Sequence, residues 1–324
     1  MPENTQSLGC LAAQTTDCVL STIAICVATY RRPEGIRRLL RALEELEFQT
    51  SPTPSIYVVV VDNDPNSDQA VSLREEFSGF RWKLKLLAET QRGISFARNR
   101  AVREALSLGA DAIAFIDDDE VPDPGWLDAL LQVQMSSGAA AVSGPVLPHF
   151  EGSVPEWVIK GGFFDRPRFA TGTSIEIART GNLLLLTKVL KNCWLLFHQD
   201  FGLSGGEDTL LTSQLRKQGA RIVWADESIV REWIGRDRVN TRYILRRAFV
   251  GGANWVRIER FVDPRLLTVF KRVTIATGRI AKAMLLLVPS LLRGRHAIVT
   301  NAKQAYLGMG MLAGLFRFRS QLYK

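Results

Sequence analysis

The stretch AIAFIDDDEVPDPGWL, residues 112–127, decides the fold of this chain and the place of its site. It opens with an apolar run that is typical of a buried strand. Three consecutive aspartates, Asp117, Asp118 and Asp119, follow where that strand is predicted to end, and Glu120 adds a fourth acid. Carboxylates placed this close repel one another, so we expect a positive group among them, either a metal ion or a basic partner.

The segments before this stretch alternate between strand and helix patterns. Apolar runs predict strands over residues 22–30, 55–64 and 82–89, and helices are predicted from Pro33 onward and over residues 95–109. These runs are continuous rather than alternating, which favours a mainly parallel sheet that helices cover on both faces. The sequence therefore predicts an α/β fold.

Polar residues follow three of the predicted strands. Thr29 and Tyr30 end the first strand, Asp62 and Asp64 end the second, and the aspartates follow the fourth. In sheets of this kind, ligands bind beyond the carboxyl ends of the strands. The sequence therefore predicts one ligand site at this edge of the sheet.

Charge is unevenly distributed along the chain. The 324 residues carry a formal net charge of +8, but residues 231–324 hold 19 Lys and Arg against 4 Asp and Glu. The earlier residues hold 22 basic against 29 acidic side chains. A basic C-terminal part suits nucleic acid, a membrane surface or phosphate-rich ligands.

Two sequence features bear on location. The first residues lack the basic start and long apolar stretch of a signal peptide, and the four cysteines include no C-x-x-C pair, so reduced thiols in a cytoplasmic protein are expected. The apolar runs at residues 283–292 and 305–316 are shorter than the roughly 20 residues of a membrane-spanning helix. Flanked by Arg and Lys, they predict either an interfacial helical hairpin on an anionic membrane or a C-terminal helix packed on the domain.

Six motifs follow one another in an order and spacing that resemble a known family. They are CVATYRRP, VVVDND, RGISFARNRA, FIDDDEVPDPGWL, TGNLLLL and FGLSGGEDTLLTSQLRKQGARI. Together, over residues 21–254, they resemble the family 2 glycosyltransferases with the GT-A fold. The C-terminal segments RRAFVGGANW and GMGMLAGLFRFRSQLYK look most like the branch with the succinoglycan-type glucosyltransferases of bacterial exopolysaccharide assembly.

The resemblance implies a domain layout. A flexible tail would occupy residues 1–20, and a GT-A glycosyltransferase domain residues 21–255. Within that domain, residues 21–125 would form the nucleotide-binding half and residues 126–255 the acceptor half. The fold would be a Rossmann-like, mainly parallel sheet flanked by helices, and residues 256–324 would form a basic, amphipathic helical C-terminal region.

The resemblance also implies a donor site. The residues expected to bind the nucleotide sugar are Ala28, Thr29, Tyr30, Asp62, Asp64, Arg98, Asp117 and Asp118. Tyr30 would stack on the base and Asp62 would accept from a base N–H. Asp119 would bind Mg²⁺ or Mn²⁺ on the diphosphate, since hard oxygen ligands suit these ions.

Some of these residues have a simpler alternative explanation. Asp62 and Asp64 also fit an Asx-turn before Pro65. Arg98 also fits an exposed arginine on a helix. Asp123 and the acids near it also fit a cap for the helix that follows.

The motif GGEDTLL supplies a second pair of acids. The resemblance implies that Asp208 takes the proton from the acceptor hydroxyl, while Glu207 and Asn182 bind the acceptor. Acids at a helix N-terminus are the alternative explanation. Related enzymes often carry a metal-binding histidine where this chain has Trp233, so Arg238 and Arg242 are further candidates for the diphosphate. A solvated basic face is the alternative for these arginines.

The function that the resemblance implies is an inverting transfer of one sugar from a nucleotide sugar, in particular a UDP-sugar. The acceptor would be a lipid-linked or growing bacterial surface glycan at the inner face of the cell membrane, reached by peripheral contact through the basic C-terminal region. No nucleic-acid partner is expected. Two rival hypotheses are a haloacid-dehalogenase-type phosphatase with Asp117 as nucleophile and a non-catalytic membrane-surface or nucleic-acid-binding protein.

Overall fold

The computed structural model describes residues 20–191 and 196–316. Three of the four cysteines and all but Leu20 of the predicted N-terminal tail lie outside these residues. The strands are β1 (Thr22–Thr29), β2 (Ser55–Asp62), β3 (Lys83–Ala88), β4 (Ala112–Phe115), β5 (Glu120–Pro122), β6 (Ala141–Ser143), β7 (Val146–Phe150), β8 (Leu183–Leu186), β9 (Ile222–Trp224) and β10 (Val230–Ile234). The helices are α1 (Pro33–Glu44), α2 (Gln69–Glu76), α3 (Ile94–Ser107), α4 (Trp126–Ser137), α5 (Glu156–Gly161), α6 (Thr187–Lys191), α7 (Glu207–Lys217), α8 (Thr241–Val262), α9 (Leu266–Leu285), α10 (Leu287–Leu292) and α11 (Arg295–Leu315).

A seven-stranded sheet forms the centre, in the order β3-β2-β1-β4-β8-β6-β9. Strands β1 to β4 pair in parallel, and β8 runs antiparallel to both β4 and β6. Parallel pairing places the carboxyl ends of β1, β2 and β4 at one edge. The predicted α/β fold with a mainly parallel sheet is confirmed.

The central strands are apolar throughout because both of their faces are covered. Along β1, Ile23, Ile25 and Val27 belong to one buried cluster, while Ala24 and Cys26 belong to the cluster on the opposite face. Residues that alternate along a strand point to opposite faces. The continuous apolar runs of the sequence are therefore the sign of a two-sided core.

A second, three-stranded sheet lies directly after the aspartates, in the order β5-β10-β7. Strand β5 pairs with β10 so that Glu120 lies opposite Glu232. The predicted cap at Asp123 is wrong: helix α4 has Gly125 at its N-cap without a side-chain hydrogen bond, and the Asp123 carboxylate instead accepts from Arg231 at 2.9 Å. Asp123 thus joins the aspartate loop to β10.

The C-terminal helices continue from the central domain without a break. Helix α8 crosses the predicted boundary at residues 255–256, and α9, α10 and α11 follow it. Helix α11 packs closely on α8 because both helices carry glycines at the contact: a Cβ at Gly252 would overlap the Leu307 carbonyl oxygen, and one at Gly310 would overlap the Phe249 carbonyl. None of the helices in the described residues is both long and apolar enough to cross a membrane.

Two adjacent glycines of α8 test this packing. Gly252→Ala is expected to lower the free energy of unfolding by about 1–3 kcal/mol, because the added methyl forces α11 away from α8. Gly251→Ala is the matched control, since no atom lies within 4 Å of its added Cβ. That control should be neutral or more stable by roughly 0.5–1 kcal/mol through its better helix propensity. Urea denaturation of both variants measures the difference, and equal midpoints would show that α11 does not depend on close contact.

Candidate active site

A cleft of about 560 Å³ opens at the carboxyl ends of β1, β2 and β4. Seven of the residues predicted from the sequence line it: Ala28, Thr29, Tyr30, Asp117, Asp118, Asp119 and Arg238. Residues from α3, the second sheet and α8 complete the walls. The prediction that ligand-binding side chains gather at this edge therefore agrees with the geometry.

One end of the cleft has the features of a base-binding site. Two guanidinium groups lie near the Tyr30 ring, with Arg31 at 5.0 Å and Arg92 at 5.4 Å from the ring centroid. Asp62 is buried, and its Oδ1 accepts from the Asp64 backbone N–H at 3.0 Å, which is the Asx-turn alternative. Its Oδ2 is also buried and has no hydrogen-bond partner. Asp62 is not among the residues that line the cleft, so its contact with a base stays a prediction.

Asp64 and Asp118 are engaged within the protein. Asp64 accepts from Arg31 Nε at 2.7 Å. Asp118 is buried and accepts from Thr29 Oγ1 at 2.9 Å and from Arg32 Nη1 at 2.8 Å. Burial raises the pKa of Asp118 to about 6, against the opposing charge of Arg32. Asp118 therefore connects β1 to the aspartate loop, and its contact with donor stays a prediction.

Asp119 is held between two arginines. Its Oδ2 lies 2.9 Å from Arg32 and 3.0 Å from Arg238, and its backbone oxygen accepts from the Trp233 backbone N–H at 2.7 Å. Among the described residues there is no cluster of three or more metal-ligating side chains. A Mg²⁺ ion in proteins usually takes one or two carboxylates, with waters and substrate phosphates completing its shell. Asp119 could supply the single carboxylate of such a site. Arg32 and Arg238 would then bind the oxygens of the same substrate phosphates.

Trp233 occupies a stacked position at the side of the cleft. Its ring lies 3.8 Å from the His149 ring centroid and 4.4 Å from the Arg38 guanidinium. The side chain is therefore committed to packing.

Arg98 forms a buried bridge between the two acidic motifs. It donates to Asp117 Oδ1 at 2.5 Å and also to Glu207 Oε1. Burial raises the pKa of Glu207 to about 7, while the charge of Arg98 opposes that rise and the charges of Asp208 and Asp117 add to it. Glu207 Oε2 is buried without a hydrogen-bond partner. The alternative of an exposed helix arginine is wrong for Arg98, and the geometry gives Arg98 and Glu207 a positioning role.

Asp208 lies near the cleft and a neighbouring cavity but is not among the residues that line either. It is half-buried in the first turn of α7, where its Oδ1 accepts from the Thr209 backbone N–H at 2.6 Å. Its negative charge raises the pKa of Asp117 and opposes the lowering of the pKa of Arg179. Asp117 lines the cleft and Arg179 lines the neighbouring cavity. Asp208 therefore lies near residues of both, and its role as the base stays a prediction.

The neighbouring cavity has a volume of about 450 Å³ and shares Arg166, Tyr243 and Arg247 with the cleft. Aromatic rings from Phe169, Trp224 and Trp255 line it, together with the cations Arg179, Arg247 and Lys303. The aromatic faces suit the apolar faces of sugar rings. Acceptor binding in this cavity stays a prediction.

Three predicted residues need separate mention. Asn182 is buried, and its amide donates to Pro145 O at 3.0 Å and to Ser228 O at 2.6 Å while accepting from Trp126 Nε1 at 2.8 Å. Its amide is thus used to hold three segments together, and acceptor binding by Asn182 or Glu207 stays a prediction. Arg242 is exposed and lies outside the residues that line the cleft.

Several cleft residues were not found from the sequence. Arg32 pairs with both Asp118 and Asp119, although the motif YRRP contained it. Glu232 pairs with Arg166 and lies 3.6 Å from Arg238. Sequence reasoning missed Glu232 and Arg166 because 66 residues separate them and no local motif contains either.

The raised pKa of Glu207 gives a prediction for stability against pH. A carboxyl group whose pKa is raised on folding binds its proton more tightly in the native state, so its contribution is complete below its usual pKa and declines as pH rises toward about 7. Glu207→Gln, which cannot ionise, is expected to reduce the loss of unfolding free energy between pH 4.5 and about 7. Urea denaturation at several pH values measures this, with the exposed Glu176→Gln as control. Identical pH slopes for Glu207→Gln and wild type would contradict the burial of this charge.

Comparison with known proteins identifies the family to which this chain is similar. The model of the family described as glycosyl transferase family 2 matches residues 24–194. The succinoglycan biosynthesis protein ExoM of Rhizobium meliloti is 31% identical over 300 residues, which cover 90% of this chain and 92% of the relative. The glucosyl-dolichyl phosphate glucuronosyltransferase of Haloferax volcanii is 26% identical over 136 residues, or 42% of this chain and 41% of the relative.

Two solved structures share the fold. The mannosyltransferase PcManGT of Pyrobaculum calidifontis, solved with GDP-Man and Mn²⁺, superposes with a TM-score of 0.62 at 19% identity and covers 92% of this chain and 87% of that protein. TarS 1–349 of S. aureus, solved with UDP, superposes with a TM-score of 0.52 at 16% identity and covers 92% of both chains. At these identities the likeness establishes the GT-A fold.

Proposed function

Because this chain belongs to glycosyltransferase family 2, we propose that it is an inverting enzyme that moves one sugar from a UDP-sugar to a bacterial surface glycan. The observation that supports this best is the position of Asp208. It lies near the boundary of the cleft and the adjoining aromatic cavity, because its charge acts on Asp117 of the cleft and on Arg179 of the cavity. An inverting transfer needs one carboxylate at that boundary.

The proposed donor site uses the cleft residues in sequence from base to diphosphate. Tyr30 stacks on the base and the unpartnered Oδ2 of Asp62 accepts from a base N–H. Arg32 and Arg238, already beside Asp119, reach the diphosphate oxygens. A divalent cation, Mg²⁺ or Mn²⁺, held by Asp119 and the diphosphate would stabilise the charge of the leaving group.

The proposed transfer step moves one proton, that of the acceptor hydroxyl. The acceptor hydroxyl attacks the anomeric carbon from the side of the aromatic cavity, and Asp208 takes its proton. The bond from that carbon to the diphosphate oxygen breaks, so the configuration inverts and the nucleoside diphosphate leaves. Arg98 keeps Asp117 and Glu207 in place beside this path.

The proposed acceptor is a lipid-linked or growing glycan at the inner face of the cell membrane, which the enzyme contacts through its basic C-terminal helices. The relative ExoM acts in succinoglycan biosynthesis, as its name states. The phosphatase hypothesis is contradicted by the family of the chain and leaves Asp208 without a role. A non-catalytic protein is contradicted on the same ground.

Calorimetric titration with UDP, GDP and dTDP, each with Mn²⁺ or with a chelator, tests the donor site. UDP is expected to bind best, and Asp62→Asn should weaken it by about 10- to 100-fold through loss of one hydrogen bond to a charged group. Asp68→Asn removes an exposed charge at the start of α2 and should leave the affinity unchanged. Absence of binding by all three nucleotides would contradict the proposal, and tighter binding of GDP would contradict the choice of UDP.

A further inference from the structure

A further cavity, separate from the cleft and from the aromatic cavity, lies among the C-terminal helices. It measures about 830 Å³ and is bounded by α9, α10 and α11. Four cationic or titratable nitrogen side chains line it: Arg279, Lys282, Arg293 and His296. No acid lines it, and no Asp or Glu occurs anywhere in residues 264–316. The lining therefore carries no acid of its own, but Glu156 of α5 lies near His296, and Lys160 together with His296 lowers the pKa of that carboxyl.

Two further observations point to an anion there. Arg279 Nε is buried and has no hydrogen-bond partner, although another nitrogen of the same guanidinium donates to Gln304. Helix α11 begins beside the cavity at Gly294 without a side-chain cap or an acid in its first turn. The unpaired backbone N–H groups and the helix dipole add positive potential at the same place. Phosphate oxygens are the groups that such a set of donors binds.

The surface next to this cavity is strongly apolar. The end of α9 and the short α10 expose a run of large side chains, among them Leu285 at 78%, Val288 at 66% and Leu292 at 86% of their full area. Monomeric proteins rarely leave so many large apolar side chains together in water. Basic groups beside exposed leucines are the pattern of a segment that enters an anionic membrane surface.

We propose that the cavity among α9, α10 and α11 binds the phosphate of an anionic phospholipid while residues 284–292 insert among its acyl chains. This names the membrane partner of the proposed function and rests on it. Helix α11 would then lie between the lipid and the aromatic cavity. Its residues His296 and Gln304 line the lipid cavity, and its residues Lys303 and Leu307 line the aromatic cavity. A lipid-linked acceptor would thereby meet the acceptor cavity at the membrane surface.

Vesicle binding of two charge-matched double variants tests the lipid site. Lys282→Gln with Arg293→Gln removes two cavity residues, whereas Lys271→Gln with Arg295→Gln removes one basic residue of α9 and one of α11 that do not line the cavity. Diffuse attraction alone costs roughly fivefold in affinity for each basic residue removed near the surface. The cavity variant is expected to lose at least tenfold more affinity than its control for vesicles of phosphatidylcholine with 30% phosphatidylglycerol. Equal losses would overturn the proposal.

A second pair of measurements separates the lipid from free phosphate and from misfolding. Inorganic phosphate, titrated to the millimolar range without vesicles, is expected to show no saturable binding, and the same phosphate added together with vesicles should leave vesicle binding intact. Saturable phosphate binding that the cavity variant abolishes would overturn the lipid assignment. Leu285→Ser with Leu292→Ser should also lower vesicle affinity more than tenfold, against the distant exposed Val71→Ser as control. Unchanged vesicle affinity in that variant would contradict insertion.

Donor turnover distinguishes failure of this inference from failure of the proposed function. All these variants lie outside the catalytic cleft and should release nucleoside diphosphate from a soluble donor at the wild-type rate. Normal turnover with normal vesicle binding would reject only the lipid site.

Discussion

Asp208→Asn is expected to lower the rate of nucleoside diphosphate release by about 10²- to 10⁴-fold, the usual contribution of a general base. The amide has nearly the shape of the carboxylate and can still accept from the Thr209 backbone N–H through its oxygen. It cannot take a proton from an acceptor hydroxyl or from water. The rate of the chemical step should therefore fall while the fold and the donor site are kept.

The measurement pairs turnover with donor binding. Calorimetry should give a UDP affinity within about twofold of wild type, because Asp208 lies outside the residues that line the donor cleft. Asp68→Asn, a change of the same kind at an exposed and distant residue, should turn over normally. A variant Asp208→Asn with wild-type turnover would move the role of base to another residue, with Glu207 as the first to examine.

Arg98→Met is expected to lower the free energy of unfolding by about 3–5 kcal/mol, which is typical when one partner of a buried ion pair is removed. The substitution keeps much of the apolar stem but leaves Asp117 and Glu207 side by side without their shared cation. Burial raises the pKa values of both acids, and loss of Arg98 removes the charge that opposes this rise. Protonation of one acid would recover part of the loss.

Urea denaturation at pH 7 measures this effect against a control on the same helix. Arg103→Met replaces an exposed arginine of α3 and should change the unfolding free energy by less than about 0.5 kcal/mol. The loss in Arg98→Met should shrink at pH 5, because Glu207, whose pKa burial raises to about 7, is then protonated. A loss below about 1 kcal/mol at pH 7 would show that the bridge is replaced by water and does not hold the two acidic motifs together.

The fold was predictable because its strands carry a strong local signal. Strands β1, β2 and β4 are covered on both faces, so each reads as an uninterrupted apolar run. Helix α2 was missed because it buries only Leu73 and has almost no apolar face. The second sheet was also beyond local patterns, since β10 meets β5 and β7 from more than 80 residues away.

The site was predictable where its residues end a strand and less so where they pair across the fold. Thr29, Tyr30 and the aspartates lie at the edge that the parallel sheet defines. The partners of those acids depend on tertiary structure: Arg98 and Glu207 are 109 residues apart, and nothing local shows that they meet. The contacts of Asn182 were not predicted for the same reason, because its amide binds segments that only the fold brings together. The chemical type of the site residues could therefore be predicted from the sequence, whereas the residues that they pair with could not.

The two interpretations of the C-terminal helices both describe part of the molecule. Helix α11 packs on α8 through Gly252 and Gly310, as a C-terminal helix of the domain would. The end of α9 and α10 remains exposed and apolar, as an interfacial hairpin would. Helix α11 thus holds the region on the domain. The end of α9 and α10 is the part that we propose contacts a membrane.

Nucleoside diphosphate release from a panel of UDP-, GDP- and dTDP-sugars, with and without Mn²⁺ or Mg²⁺, tests the central claim most directly. Glycosyltransferases can hydrolyse their donor slowly without acceptor, so the acceptor need not be known. We expect release from a UDP-sugar that depends on the cation and is lost in Asp119→Ala. Release from no donor, by a folded protein that also binds no nucleotide, would contradict the account.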